Sequence, residues 1–505
     1  MTIAMLIAGL ESRGIILSLA NDEIRYRSPK DALTEADKAQ LRARRAEIVD
    51  HLRTRNAAKA LRGAPALAGP LTPSVAQEMW RATFRDGPEG HPVALNIPMM
   101  DKFSHDAPSV TAAIRQVIAR YDALRVRFEA RDGTLLAVLN SADSFMIEQE
   151  DLRHLGPQSA AQTAFQRAQA FCALVNLIEG EWLTRAKVFA LPGGESLGAI
   201  SCAHMIADGG TRNIVIDEIR DILEHGAPRA VSAVSYNDCS LAERAFLAGP
   251  QGEQLIGHWR DWYRAQPTIK APSDGAPLLW GNGIRMVRDF TIPSRVADKI
   301  RLRAEEWKVT PFLIYLTIFS IAIARWSGFE RFPIRVLGDK RTSLELSNMV
   351  GLMFCADAVE IAAPTGADFE TVMRGIRAEY DTALALRIPT LHFWAPHCVR
   401  PGIEAPDYPN KIPAVFNYYS MGTARERAER MAGPDTTAAL PWPPEVVTLP
   451  PQEWRRRSSP LFLHVMDKGN EAYGSLHFYQ GAVSPQDQDG FTARLFQVFA
   501  ETVPA

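Results

Sequence analysis

The sequence predicts a mixed α/β protein, with two α/β lobes following a small N-terminal unit of helix, hairpin and helix. Three observations carry that reading. The chain of 505 residues exceeds what one hydrophobic core usually serves, so two or three globular units are expected. Through the body, β-prone runs alternate with runs of helical period, and no short repeat recurs. A stretch rich in Ala, Gly and Pro, Ala57 to Leu71, sets the first segment apart as a linker would.

The first segment reads element by element. Ile3 to Arg13 places Leu6, Ile7 and Leu10 on one helical face, and Gly14 follows where a helix often ends. Ile15 to Ala20 and Glu23 to Ser28 are β-prone runs around Asn21-Asp22, which predicts a hairpin. Pro29 stops the second strand. Thr34 and Asp37 then form a capping-box pattern opening a helix with apolar Leu41, Ile48 and Leu52. A unit of about 60 residues is marginal as an independent core, so it suits an adaptor better than a catalyst.

In the body, Arg185 to Leu191 and Leu197 to Cys202 are strand-like runs around Pro192-Gly193-Gly194, hence a hairpin. Ala203-His204-Met205-Ile206-Ala207-Asp208-Gly209-Gly210 comes next. Thr211 to Glu224 then carries Val215, Ile219, Ile222 and Leu223 at helical spacing. Strand, tight turn and helix make a chemical platform. The strand end fixes His204, Gly209 permits close backbone approach, and the helix N-terminus presents free amides that can hold an oxyanion. Further on, Pro311 to Ala324 is the longest nearly apolar run, too short to span a bilayer and suited to a buried helix. Trp442 to Pro451 is Pro-rich and reads as a surface connection inside the second lobe.

Composition narrows the function classes. Hydrophobic residues make up 47% and charged residues 23%, as in ordinary soluble domains. The net charge of −2 supplies no global field for nucleic acid or acidic membranes, so a charge-guided partner must use a local patch. The five cysteines, Cys172, Cys202, Cys239, Cys355 and Cys398, are scattered without metal-ligand spacing. They predict reduced thiols in a cytoplasmic protein without a metal site, with Cys202 a small buried strand residue. The start MTIAMLIAGLESRG lacks the basic flank and cleavage site of a signal peptide.

His-x-x-x-Asp-Gly is by itself a weak signal in a chain with eleven histidines, and a structural histidine fits it as well. Its company is more specific. Ser74-Val75-Ala76-Gln77-Glu78-Met79-Trp80 resembles the opening Ser-x-Ala-Gln-x-x-Trp signature of nonribosomal peptide synthetase condensation domains, and Arg120 to Phe128, RYDALRVRF, resembles their second. The histidine motif is their third, with Ala203 replacing the first of two usual histidines. Tyr236-Asn237-Asp238 resembles the fourth, and Met349 to Ala356, MVGLMFCA, is a loose fifth. The five stand in family order. Residues 1 to about 60 resemble the β-hairpin docking domains that capture the C-terminal tail of an upstream carrier protein. Arg25, Arg27 and Lys30 would favour an acidic tail, although charges on an edge strand also serve simply to resist aggregation.

The resemblance implies two lobes related to chloramphenicol acetyltransferase, arranged as a V around a central tunnel. They are expected at about 71 to 262 and 263 to 505, after a docking domain at 1 to 60 and a linker at 61 to 70. It implies acyl transfer from the phosphopantetheine thioester of a partner carrier protein, with no cofactor bound by this chain. His204 would be the catalytic base or orienting group, and Gly209 a backbone donor to the oxyanion. Asp208 would brace the motif through an arginine, for which Arg125 is the candidate, and Asn417 would line the tunnel from the second lobe.

With no adenylation or carrier segment after the second lobe, both substrates are expected in trans. The acceptor is then a small molecule or a carrier-bound group, and release as an ester is the leading expectation. Amide formation and a non-catalytic recruitment domain remain alternatives. A coenzyme A acyltransferase is disfavoured by the docking unit, as is the plant type by the missing Asp-Phe-Gly-Trp-Gly segment. The motif also lacks the second aspartate of heterocyclisation domains.

Overall fold

The computed structural model describes residues 6, 10, 15–20, 23–27, 33–45, 48–49, 71–78, 93–94, 96–131, 134–174, 176–177, 182–228, 234–341, 346–387, 412–420, 446–468 and 472–502. Ile7, Gly14, Lys30, Leu52, the linker at 61 to 70, Met79, Trp80 and Cys398 lie outside them. The chain forms two compact units, Met1–Gly69 with Asp381–Arg387, and Pro70–Tyr380 with Ile388–Ala505.

In the small unit, β1 (Ile16–Ala20) pairs antiparallel with β2 (Glu23–Arg27), as the two β-prone runs require. Helix α1 (Glu35–Ala43) opens on a reciprocal cap. The Asp37 N–H donates to Thr34 Oγ1 at 3.1 Å, and the Thr34 N–H donates to Asp37 Oδ2 at 2.9 Å. Two orphan amides are thereby satisfied at the helix start. Leu6, Leu10, Ile15, Leu17 and Ile48 form the core, with Ile24, Leu33 and Leu41 packed against it.

The first lobe is built on a four-stranded sheet in the order β3 (Asn96–Phe103), β8 (Ser196–Ala203), β7 (Thr184–Ala190), β6 (Ile147–Asp151). β7 and β8 form the expected hairpin. Its turn needs glycine, because Gly193 and Gly194 take φ of 78° and 77°. Helices α2 (Ala107–Arg120) and α4 (Gly209–His225) contribute to one core, and α3 (Pro157–Ala173) to a second. Every residue of β8 is buried, which fixes the strand end that carries His204.

The second lobe holds an eight-stranded sheet. Its path runs β11 (Phe354–Ala362), β10 (Arg331–Asp339), β12 (Ala414–Ser420), β15 (Leu461–Asp467), β16 (Ala472–Tyr479), β9 (Gly281–Ile292), β13 (Val446–Thr448). β14 (Gln452–Ser458) also pairs with β9. The apolar run becomes helix α8 (Pro311–Ser327), buried continuously from Leu313 to Ala324. The Pro-rich segment departs from a plain surface connection. Val446–Thr448 is β-branched throughout and adds to β9 as an edge strand, with Val446 opposite Phe290. Residues 442–445 lie outside the described residues.

Two features join the lobes. Helix α6 (Pro250–Ala265) runs through the expected boundary at 262/263, burying Trp259 and Tyr263. Val350 and Leu352, from the loop between β10 and β11, and Ala356, on β11, lie in the first-lobe core. No single described helix is long and apolar enough to cross a membrane. Among the described residues Cys172, Cys202, Cys239 and Cys355 are free thiols, and burial raises Cys202 to about 12, the state of an inert strand residue.

Candidate active site

The histidine turn is held from both sides. The Ala203 N–H donates to the Leu183 carbonyl at 2.8 Å, and the Ala203 carbonyl accepts the Ile206 N–H at 2.9 Å. His204 follows with its ring edge-on to Phe354 at 6.1 Å between centroids. Asp208 is the N-cap of α4, taking the Thr211 N–H at 2.8 Å. His204, Asp208, Gly209 and Gly210 line a cavity of about 650 Å³, and Asn417, Tyr419 and His464 line it from the second lobe.

Asp208 is braced as expected, but by a different arginine. Arg341 donates from Nη2 to Asp208 Oδ1 at 2.9 Å and from Nη1 to Oδ2 at 3.0 Å, and both side chains are nearly sealed. The Met353 N–H donates to Oδ2 at 2.8 Å. Burial would push the Asp208 carboxyl up. The Arg341 guanidinium and the two backbone donors outweigh it and hold the group below the usual carboxylate range. Arg125, the candidate from sequence, is engaged at home on the short turn before β4 (Val126–Arg131). Its Nη1 donates to the Asn140 carbonyl at 2.8 Å and its Nη2 meets Asp122 Oδ1 at 2.5 Å. A guanidinium that finds a carboxylate three residues back on its own turn does not reach Asp208.

Gly209 is required by contact. A Cβ there would stand 2.3 Å from Tyr419 Cε2, and one on Gly210 would stand 2.5 Å from Arg341 Nη1. Tyr419 also donates its hydroxyl to the Gly209 carbonyl at 2.7 Å, which ties β12 to the start of α4.

Described residues of the other motifs converge on this turn and on α4. Gln77 donates from Nε2 to the Met205 carbonyl at 3.1 Å, and Ser74 Oγ lies 2.9 Å from the Tyr236 hydroxyl. Tyr236 donates to the Leu352 carbonyl at 3.3 Å, and its ring covers Gly351, where a Cβ would lie 2.2 Å away. Thr211 Oγ1 donates to the Gly351 carbonyl at 2.8 Å and accepts the Gly351 N–H at 3.0 Å. From the second motif, Arg120 pairs with Glu218 on α4 at 2.8 Å, and Tyr121 donates to the same carboxylate. The motifs are therefore a scaffold around one histidine turn.

Asn417 reaches the cavity, as the sequence suggested. Arg341, Tyr419, His464, Arg285 and Arg335 were not legible, since no spacing along the chain marks residues brought together by sheet register. Arg25 and Arg27 occupy β2 opposite Ser18 and Ile16, with exposed Tyr26 between them. Their side chains, like Lys30, lie outside the described residues.

The two-lobed fold and the histidine turn define an acyl-transfer scaffold of the condensation class. The chain belongs to the condensation-domain family, since residues 76–387 match the Condensation domain, and residues 3–54 match the TubC N-terminal docking domain. A structure solved for the molecular basis of condensation domain-mediated chain release from the enacyloxin polyketide synthase is 32% identical, with a TM-score of 0.77. That similarity covers all of this chain (100%) and 97% of the other. The EpoB cyclization-docking bidomain of Sorangium cellulosum, 16% identical with a TM-score of 0.60, shares the fold over 99% of both chains. Phosphinothricin tripeptide synthetase PhsC of Streptomyces viridochromogenes is 26% identical over 331 residues, which is 63% of this chain and 30% of PhsC. Bacitracin synthase 2 of Bacillus licheniformis is 23% identical over 363 residues, 70% of this chain and 13% of that protein. The chain thus spans under a third of these synthetases.

Proposed function

We propose that this protein transfers an acyl chain, polyketide or peptidyl, from the phosphopantetheine thioester of a partner carrier protein to a hydroxyl acceptor supplied in trans, releasing it as an ester. The observation that carries the reading is the cavity in which His204 and the first residues of α4 meet the second lobe. The similarity to a chain-releasing condensation domain supports it.

In this reading the carrier's tail docks on the hairpin unit, in the cytoplasm, and the thioester arrives already activated. His204 takes the proton as the acceptor oxygen attacks the thioester carbon. An oxyanion forms and is held by the Gly209 amide at the N-terminus of α4. As it collapses the carbon–sulfur bond breaks, and the proton passes to the departing pantetheine sulfur. A hydroxyl is about as weak an acid as water itself and needs such a base far more than an amine does. The activation is carried by the substrate itself, so the scheme calls for no cofactor on this chain. Amide formation with an amine is the second reading, favoured by the peptide synthetases among the relatives.

His204→Ala is expected to lower single-turnover transfer from a loaded carrier by a factor of about 10² or more, with carrier binding intact. A wild-type rate in the variant would overturn the role of His204. Mass spectrometry of the released product separates ester from amide.

A further inference from the structure

Strand register sorts the side chains of the second-lobe sheet into rows, and one row leads out of the cavity. Asn417 on β12 lies opposite His464 on β15, His464 opposite Ser475 on β16, and Ser475 opposite Asp289 on β9. The outer end of the row is satisfied within the protein. Ser475 Oγ donates to Asp289 Oδ1 at 2.6 Å and lies 2.7 Å from His477 Nε2.

His464 differs. It lines the same cavity as His204, yet its Nε2 is sealed from bulk water and no described residue hydrogen-bonds to it. Its ring is parallel to that of Phe462, 2° between planes and 6.2 Å between centroids. The Arg285 guanidinium stands 5.6 Å over Phe462. Burial, and then Arg285, push the imidazole down to about 4, so it is neutral at the pH of the cell. A neutral imidazole carries one donor and one acceptor nitrogen. A substrate cannot reach the sealed Nε2, but the ring is only partly buried and lines the cavity, and the nitrogen it can offer to a polar group there is Nδ1. Of the two substrates, the acceptor must bring a hydroxyl or amine to His204. The thioester brings a carbonyl, which the helix N-terminus serves.

We propose that His464 is an acceptor-binding residue, a second imidazole from the opposite lobe that hydrogen-bonds the polar head of the acceptor while His204 handles its proton. This rests on the reading of the cavity as the transfer site. His464 discriminates acceptors by hydrogen bonding, since a ligand lacking a polar group there leaves the nitrogen unpaired.

The full chain is assayed with octanoyl-N-acetylcysteamine as donor and 1-phenyl-1,2-ethanediol or 2-phenylglycinol as acceptor. His464→Phe is expected to raise the acceptor KM about tenfold, the loss of one buried hydrogen bond. The donor KM and kcat should stay within about threefold, and His464→Gln should recover most of the acceptor affinity. An unchanged acceptor KM, or a rise in the donor KM instead, overturns the assignment. In parallel, the ¹⁵N-histidine-labelled wild-type chain is titrated with the diol. The His464 ring resonance, identified by its loss in His464→Gln, is expected to shift saturably, and a resonance that stays still also overturns it. Should the resonance shift while wild-type enzyme transfers to neither probe, acceptor binding stands and the transfer reading fails.

Discussion

Asp208 and Arg341 stand 133 residues apart in sequence, and together they hold the start of α4 against the second lobe. Replacing one member of a sealed ion pair strands the other, at about 3–5 kcal/mol. Asp339 Oδ1 also sits 3.0 Å from the Arg341 guanidinium and softens the loss. Asp208→Ala is therefore expected to cost about 3 kcal/mol in urea unfolding, and Asp208→Ala with Arg341→Met to recover much of it. A single variant as stable as the parent would remove the bracing role. The brace also marks what a sequence can reveal about a site. Asp208 was legible because it sits four residues after His204 in a recognisable motif. Its partner was not, because Arg341 and Arg125 are chemically alike and only the fold decides which one is already occupied.

Local elements were the most legible, because their causes are local. Thr34 and Asp37 are three residues apart, and the reciprocal cap they predict is present in α1. Pro192-Gly193-Gly194 announced the β7–β8 turn for the same reason: two consecutive positive φ angles admit little else. Strand pairing is different in kind. Nothing near Asn417 in sequence says that His464 will be its neighbour, so beyond Asn417 the second-lobe wall of the cavity stayed hidden. The short strand Val446–Thr448 was obscured by its flanking prolines. Thr34→Ala removes both hydrogen bonds of the Thr34 hydroxyl to Asp37 and should cost about 1 kcal/mol, confined to the hairpin unit. If that unit captures the carrier, the variant will bind a loaded carrier more weakly, by calorimetry or fluorescence anisotropy, while turning over a soluble thioester at the parental rate. Equal loss in both assays would show that the cap supports the catalytic unit instead.

For the molecule as a whole, the proposed function has the small unit capture the carrier, which would raise the effective carrier concentration available for transfer, most of all when carrier is scarce. Deleting residues 1 to 60 should slow transfer from the carrier about tenfold or more at sub-micromolar concentration. Turnover of the thioester surrogate should remain within about twofold. Equal impairment of both would make the segment structural. The two-lobe plan was readable from length and element order, but the seam between the lobes was not. The boundary expected at 262/263 from the family resemblance falls inside α6, and the Met349–Ala356 motif, which follows that boundary in sequence, supplies Val350, Leu352 and Ala356 to the first-lobe core. That borrowing sets an order on synthesis. The first lobe leaves the ribosome about a hundred residues before the segment that closes its core, and in that interval it presents apolar surface suited to chaperones. It also sets where such enzymes can be recombined. A chimera joined near residue 262 would pair one parent's core with another parent's plug, whereas a junction beyond Ala356 carries the plug with the core it fills.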